Sequence, residues 1–177
     1  MIRRQRYNGT MTTMDDEGTK TGTIATRELP LHPPELHYCT QPKAWFDEAT
    51  MLDWVANVLA PYVATAPHGV VPILFLDSFK VHLMGTVTAA IEALGVEVDY
   101  ITAGCTGLVQ PVDVGFNKPF KSNMRSLYSD WLMAQDADLP IPAISRMVLS
   151  YMIIEAVNNV TVTTVKNAWR KTGFSYF

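Results

Sequence analysis

The sequence predicts an α/β fold in which short parallel strands alternate with helices, and further helices complete the C-terminal part. Three observations carry this expectation. Residues 70–76 form a short unbroken apolar run that stops at a carboxylate, Asp77. Residues 96–101 form a second short run with alternating polarity. Between them lies a stretch of helical period, and strand–helix–strand order joins parallel neighbours.

The bulk composition agrees with a packed domain. Of 177 residues, 48% are hydrophobic and 18% charged, below the usual charged share of about 25%. That excludes a disordered tail, a collagen-like chain or a coiled coil for most of the length. The net charge is −3, which argues against coating nucleic acid by bulk electrostatics but leaves room for a local basic face. The charge is uneven: residues 1–113 hold 7 basic and 13 acidic side chains, residues 114–177 hold 7 and 4. Cys39 and Cys105 show neither a disulfide framework nor a zinc spacing, so two thiols in a reducing compartment are expected. The basic N-terminus is not followed by an apolar stretch, and no run is long enough to span a bilayer. A soluble, intracellular chain is the expectation.

Residues 1–35 are rich in Thr, Gly, Pro and charge without a sustained period, and read as an irregular or poorly ordered segment; residues 36–177 read as the domain. Asp47 is a plausible N-cap for a helix with Met51, Val55, Val58 and Tyr62 at helical spacing. Pro67-His68-Gly69 makes a turn. The run 70–76 is expected to be a central strand buried on both faces. Leu83, Val87, Ala90, Ile91 and Leu94 share one face of the next helix, closed by Gly95 at its C′ position. The second strand follows, then a loop over residues 103–107. Pro111 suits the first turn of a further helix carrying Phe116, Phe120, Leu127 and Trp131, with Pro119 expected to kink it or delay its start. Ile144, Met147, Val148, Tyr151 and Met152 are expected to form one apolar face, and Thr161 or Thr163 to cap a last helix ended by Gly173. The four tryptophans are expected to pack in the core.

Two acids stand out. Asp77 sits at the carboxyl end of an apolar strand, where open α/β sheets place ligands; it could equally cap a turn or helix. Asp113 follows Gln110-Pro111 at a loop-to-helix junction, where a first-turn aspartate also complements the helix dipole. Two hard oxygen donors of this kind, if they converge, suit Mg²⁺. Lys118, Lys121 and Arg125 would share one helix face, as phosphate contacts or as a solvated face. Lys166, Arg170 and Lys171 form a similar cluster on the last helix.

Two strings carry a resemblance: Phe75-Leu76-Asp77-Ser78-Phe79-Lys80-Val81-His82, and Cys105-Thr106-Gly107-Leu108-Val109-Gln110-Pro111-Val112-Asp113-Val114-Gly115. Together with Ala44-Trp45-Phe46-Asp47-Glu48 and Asn167-Ala168-Trp169-Arg170-Lys171-Thr172-Gly173, they resemble the DDE superfamily endonuclease domain in its pogo-like, jerky and centromere-binding branch. The resemblance covers roughly residues 36–175. It implies a ribonuclease H-like α/β fold with C-terminal helices, in which three acids hold two divalent ions for cutting and rejoining DNA.

Asp77 and Asp113, with 35 residues between them, match the last two acids as catalytic and metal-binding residues. Gln110 and Pro111 would set the loop that presents Asp113. His82 matches a position near the second acid, with an orienting or phosphate-contact role competing against a helix-surface histidine; with Lys118, Lys121 and Arg125 it completes the expected nucleic-acid-binding set. The family's first acid is not evident. Asp15 and Asp16 lie in a polar triple-acid tract and read as solvated.

The expectation is therefore a domain lacking part of the first β-hairpin sheet, an N-terminally truncated relative that binds DNA in the nucleus with impaired metal chemistry. An active endonuclease or strand-transferase using Mg²⁺ or Mn²⁺, and a domesticated protein-interaction domain, are the alternatives. DNA, a second copy or a related transposase chain are the implied partners, and no membrane.

Overall fold

The computed structural model describes residues 24–41 and 43–174. It divides into two compact units, residues 1–100 and 101–177.

In the first unit a π-helical turn, Ile24–Glu28, and a 3₁₀ turn, Leu29–Leu31, precede a helix over residues 48–63. That helix starts as α1 (Glu48–Trp54), widens into a π-helical turn at Val55–Leu59 and ends as α2 (Ala60–Val63). Pro61 explains the widening: its ring crowds the preceding turn and it offers no N–H to the ladder. Asp47 is the N-cap, as expected. The Thr50 N–H and hydroxyl both donate to Asp47 Oδ1, at 2.9 and 2.8 Å, and the Gln41 amide donates to Oδ2 at 2.9 Å. Burial pushes this carboxyl up, but the hydrogen bonds from Thr50 and Gln41 outweigh it and hold the group below its ordinary 3.8.

Strands β1 (Ile73–Asp77) and β2 (Glu97–Ile101) pair beside one another, with α3 (Gly85–Glu92) between them in sequence. The Glu97 N–H donates to the Pro72 carbonyl, so the strands start together and run parallel. Gly95 closes the α3 connection at φ +75°, a left-handed conformation that glycine adopts without strain. The core joins the two layers through Met51, Val55 and Leu59 from the first helix, Val87 and Ile91 from α3, and Leu76, Val81 and Val96.

β1 departs from expectation. It is shorter than 70–76 and not buried on both faces: Ile73 is more than half exposed and Leu76 alone in the strand is buried, while Val70 and Val71, expected in the strand, lie before it and are more than half exposed. With a single described neighbour, β1 lacks the second flank and covering layer that an internal strand has. Leu83 precedes α3 and is exposed, since the turn of residues 80–83 directs it away from the helix face. Trp45 is 72% exposed; it lies before the Asp47 cap, outside the helix whose face enters the core.

The second unit is helical beyond the end of β2. A short α4 (Thr106–Val109) replaces the second half of the expected loop. A π-helical turn, Val112–Phe116, runs into α5 (Asn117–Met133), followed by α6 (Arg146–Asn158) and α7 (Val162–Lys171). Pro111 opens the turn at helical φ and ψ, as expected. Pro119 does not break the helix. It follows the π-helical turn Val112–Phe116 as Pro61 follows Val55–Leu59, and the widened turn accommodates its ring and missing N–H.

Thr161 caps α7 by accepting from Thr164 N–H, and Gly173 ends it at φ +86°. The apolar face expected on α6 is buried only in part: Met152 is in the core and Val148 half-buried, but the buried side is centred on Ser150, Met152 and Ala156. Ser150, Met152 and Ala156 are buried while Met147 and Tyr151 are exposed, because α6 packs on α5 through its Ala156 side. There Asn123 of α5 donates to the Ala156 carbonyl at 3.1 Å. Ser150 satisfies its buried hydroxyl by donating to the Arg146 carbonyl at 2.8 Å. No single described helix is long and apolar enough to cross a membrane.

Candidate functional site

Asp77 ends β1, so its side chain stands where the chain leaves the sheet. Its Oδ1 accepts from the Phe79 N–H at 3.2 Å and contacts His82 Nδ1 at 2.7 Å. His82 Nδ1 also lies 3.2 Å from the Asp77 carbonyl oxygen. Both of these oxygens can only accept, so Nδ1 carries the proton and donates. His82 sits in the turn between β1 and α3 rather than on a helix face. Its ring packs edge-on against Phe79 and Phe46, with centroids 5.5 and 6.3 Å away. Asp77 Oδ2 takes no hydrogen bond among the described residues.

In the second unit, Gln110 leaves α4 in an extended conformation, and its carbonyl accepts the N–H groups of both Asp113 and Val114 at 3.0 Å. Pro111, buried and already helical, starts the turn that carries Asp113. Asp113 Oδ1 accepts from the Asn117 amide at 2.6 Å, one helical turn on, and Oδ2 takes no hydrogen bond among the described residues. Asp113, Asn117, Lys118, Lys121 and Arg125 line one cleft of about 300 Å³. The three cations recur at i, i+3 and i+7 on an exposed helix face, so their charges reach the same space.

The structure thus brings Asp77 together with His82, and Asp113 together with Lys118, Lys121 and Arg125. Sequence reasoning missed Asn117 beside Asp113; its position four residues after the acid in a helical segment was the available signal. Asp15 and Asp16 lie outside the described residues. Among the described residues, no three His, Cys, Asp or Glu side chains cluster as a metal cage. The donor type nonetheless suits a hard divalent cation, since each of the two aspartates keeps one carboxylate oxygen without a hydrogen bond. Cys39 and Cys105 are both thiols.

Residues 20–169 match the family model described as DDE superfamily endonuclease. The chain is 30% identical over 90 residues to "Pogo transposable element with KRAB domain" of Mus musculus, and 30% identical over 92 residues to the protein of the same name of Homo sapiens. Each alignment covers 51% of this chain and 15% of the relative, so the chain spans a small part of those proteins. No solved structure matches. A family match over most of the chain, with pogo-type proteins among the relatives, establishes that the chain belongs to the DDE superfamily endonuclease family.

Proposed function

We propose that this chain is a transposase-derived domain that binds DNA through the Lys118, Lys121 and Arg125 face, with weak or absent metal-assisted cleavage. The cation-lined cleft beside Asp113 carries the reading. Three positive side chains on one exposed face suit consecutive phosphate oxygens, and such contacts supply affinity without reading sequence. The net charge of −3 does not oppose this, because the positive balance is concentrated after Asp113.

Asp77 and Asp113 are the metal-ligating carboxylates in this reading. A bound Mg²⁺ or Mn²⁺ would supply activation of a water or 3′-hydroxyl and neutralise charge at the phosphodiester. The chain's own part is to hold each carboxylate by one oxygen, through His82 and Phe79 N–H or through Asn117, and to present the other. Two acids form a poor cage for a pair of ions, which is why binding is proposed ahead of cutting. The exposed apolar residues Val70 and Val71 just before β1 and Ile73 at its start support a ribonuclease H-like sheet in which further strands cover this element. DNA binding of this kind would be exercised in the nucleus.

Fluorescence anisotropy on duplex DNA across a salt series, with plasmid nicking in Mg²⁺ and Mn²⁺, tests the proposal. Salt-sensitive binding with little nicking is expected. No retention on DNA at low salt would replace it with a protein-interaction role. Robust nicking lost in both Asp77→Asn and Asp113→Asn would replace it with an active endonuclease.

A further inference from the structure

We infer that Tyr100 and His82 are positioning residues for the Asp77 carboxylate, acting through a chain of hydrogen bonds that ties the turn after β1 to the neighbouring strand and helix. The inference rests on the reading of Asp77 as a metal ligand.

Tyr100 lies on β2, half-buried, and its hydroxyl donates to the His82 carbonyl at 3.1 Å. A tyrosine hydroxyl has a single proton, so the 2.9 Å contact with Thr88 Oγ1 must be a donation from Thr88 to Tyr100. Thr88 belongs to α3, next to the fully buried Val87. The order is thus Thr88 to Tyr100 to the His82 backbone, with the His82 ring donating onward to Asp77 Oδ1 at 2.7 Å.

Each link removes a freedom. A turn after a strand can swing, and an aspartate side chain has several rotamers. The Tyr100 hydroxyl holds the backbone of the residue whose ring holds Asp77. Phe46 and Phe79 restrict that ring from two sides, so it cannot turn away without losing aromatic contacts. With Oδ1 occupied, the carboxylate is left with Oδ2 as its open oxygen, in an orientation fixed before any cation arrives. Groups that orient a ligand in this way are the outer layer of metal sites, and removing one commonly costs 10–100-fold in affinity.

The test uses the full chain with Tyr100→Phe, His82→Ala, His82→Asn and Asp77→Asn. Two readouts are followed by NMR: the ¹⁵N signals of the His82 ring, and Mn²⁺-induced broadening of amides around Asp77 as a titration. The expected result is a His82 ring protonated at Nδ1, with its signal displaced in both Tyr100→Phe and Asp77→Asn. Mn²⁺ affinity should fall about tenfold in Tyr100→Phe and His82→Ala. His82→Asn, which keeps a donor near the Nδ1 position, should recover most of that loss, a rescue that a packing role alone would not produce. A His82 ring signal and Mn²⁺ affinity both unchanged in Tyr100→Phe would overturn the inference. If Mn²⁺ leaves the Asp77 amides untouched in the unmodified chain, the metal-ligand reading fails instead. The ring signal then still decides the positioning claim, since its indifference to Tyr100→Phe and Asp77→Asn would end it.

Discussion

A methyl group added to Gly115 would stand 2.4 Å from Cβ of Ala168 and 3.1 Å from its Cα. Gly115 lies in the π-helical turn that carries Asp113, and Ala168 is the buried residue of α7. The two segments approach so closely that only hydrogen fits between them. The glycine in the Asp113-Val114-Gly115 string therefore has a packing reason as well as a place in a family pattern.

Gly115→Ala should destabilise the second unit. Overpacking a close contact costs about 1–3 kcal/mol, more than the roughly 1 kcal/mol that helix propensity returns. Urea denaturation of the variant and of Gly115→Ala/Ala168→Gly checks this, with the double variant recovering part of the loss. A single variant as stable as the unmodified chain would show that α7 does not seat against this turn.

Asp47→Ala should cost about 1 kcal/mol at neutral pH through loss of the cap on the first helix. The folded carboxyl is held below its ordinary 3.8, so the ionised form is the one that folding favours. Its contribution is present above the unfolded value and fades as pH falls through the folded one. The stability gap between Asp47→Ala and the unmodified chain should therefore narrow below pH 3.8. Denaturation midpoints at neutral and strongly acidic pH report it, and a gap that widened in acid would contradict the cap.

Ile91→Ala should be among the most damaging substitutions in the first unit. Ile91 is fully buried beside Val87 on the core face of α3, and such a truncation costs about 2–5 kcal/mol. The milder Ile91→Val should cost about 0.5–1.5 kcal/mol, so the pair measures how tightly that core is packed.

Replacing Lys118, Lys121 and Arg125 together by alanine should weaken DNA binding and flatten its salt dependence. Each phosphate contact adds roughly 0.9 to the slope of log affinity against log salt, so the slope should fall by about 3. Asp113→Asn, measured without divalent cation, should tighten binding, because among the described residues Asp113 is the one acid on the lining of that cleft. An unchanged slope in the triple variant would move the DNA contact elsewhere.

What could be read in advance was mostly local. The Asp47 and Thr161 caps, the left-handed glycines at 95 and 173 and the helical start at Pro111 depend on a few neighbouring residues. The shared face of Lys118, Lys121 and Arg125 follows from helical period alone. The burial of β1 did not follow from its composition, since an apolar run looks the same whether one neighbour pairs with it or two. Trp45, and Met147 and Tyr151 on the α6 face, are exposed against expectation for a related reason. Aromatic or apolar character states a preference for burial, whereas burial itself requires a partner at the right place: on α6, Met152 and Ala156 are buried while Met147 and Tyr151 stay exposed.

The sequence by itself determined the family, the order of helices and strands, and the positions of Asp77 and Asp113 at the ends of their elements. These depend on side-chain period, capping chemistry and motif strings, all of which operate over a few residues. Only the tertiary structure decided that His82 turns its Nδ1–H onto Asp77, that Tyr100 holds the same turn from β2, and that Gly115 lies against Ala168. Those contacts join residues 5, 18 and 53 positions apart. Their existence depends on how strand, helix and turn pack in space, which no local spacing rule contains.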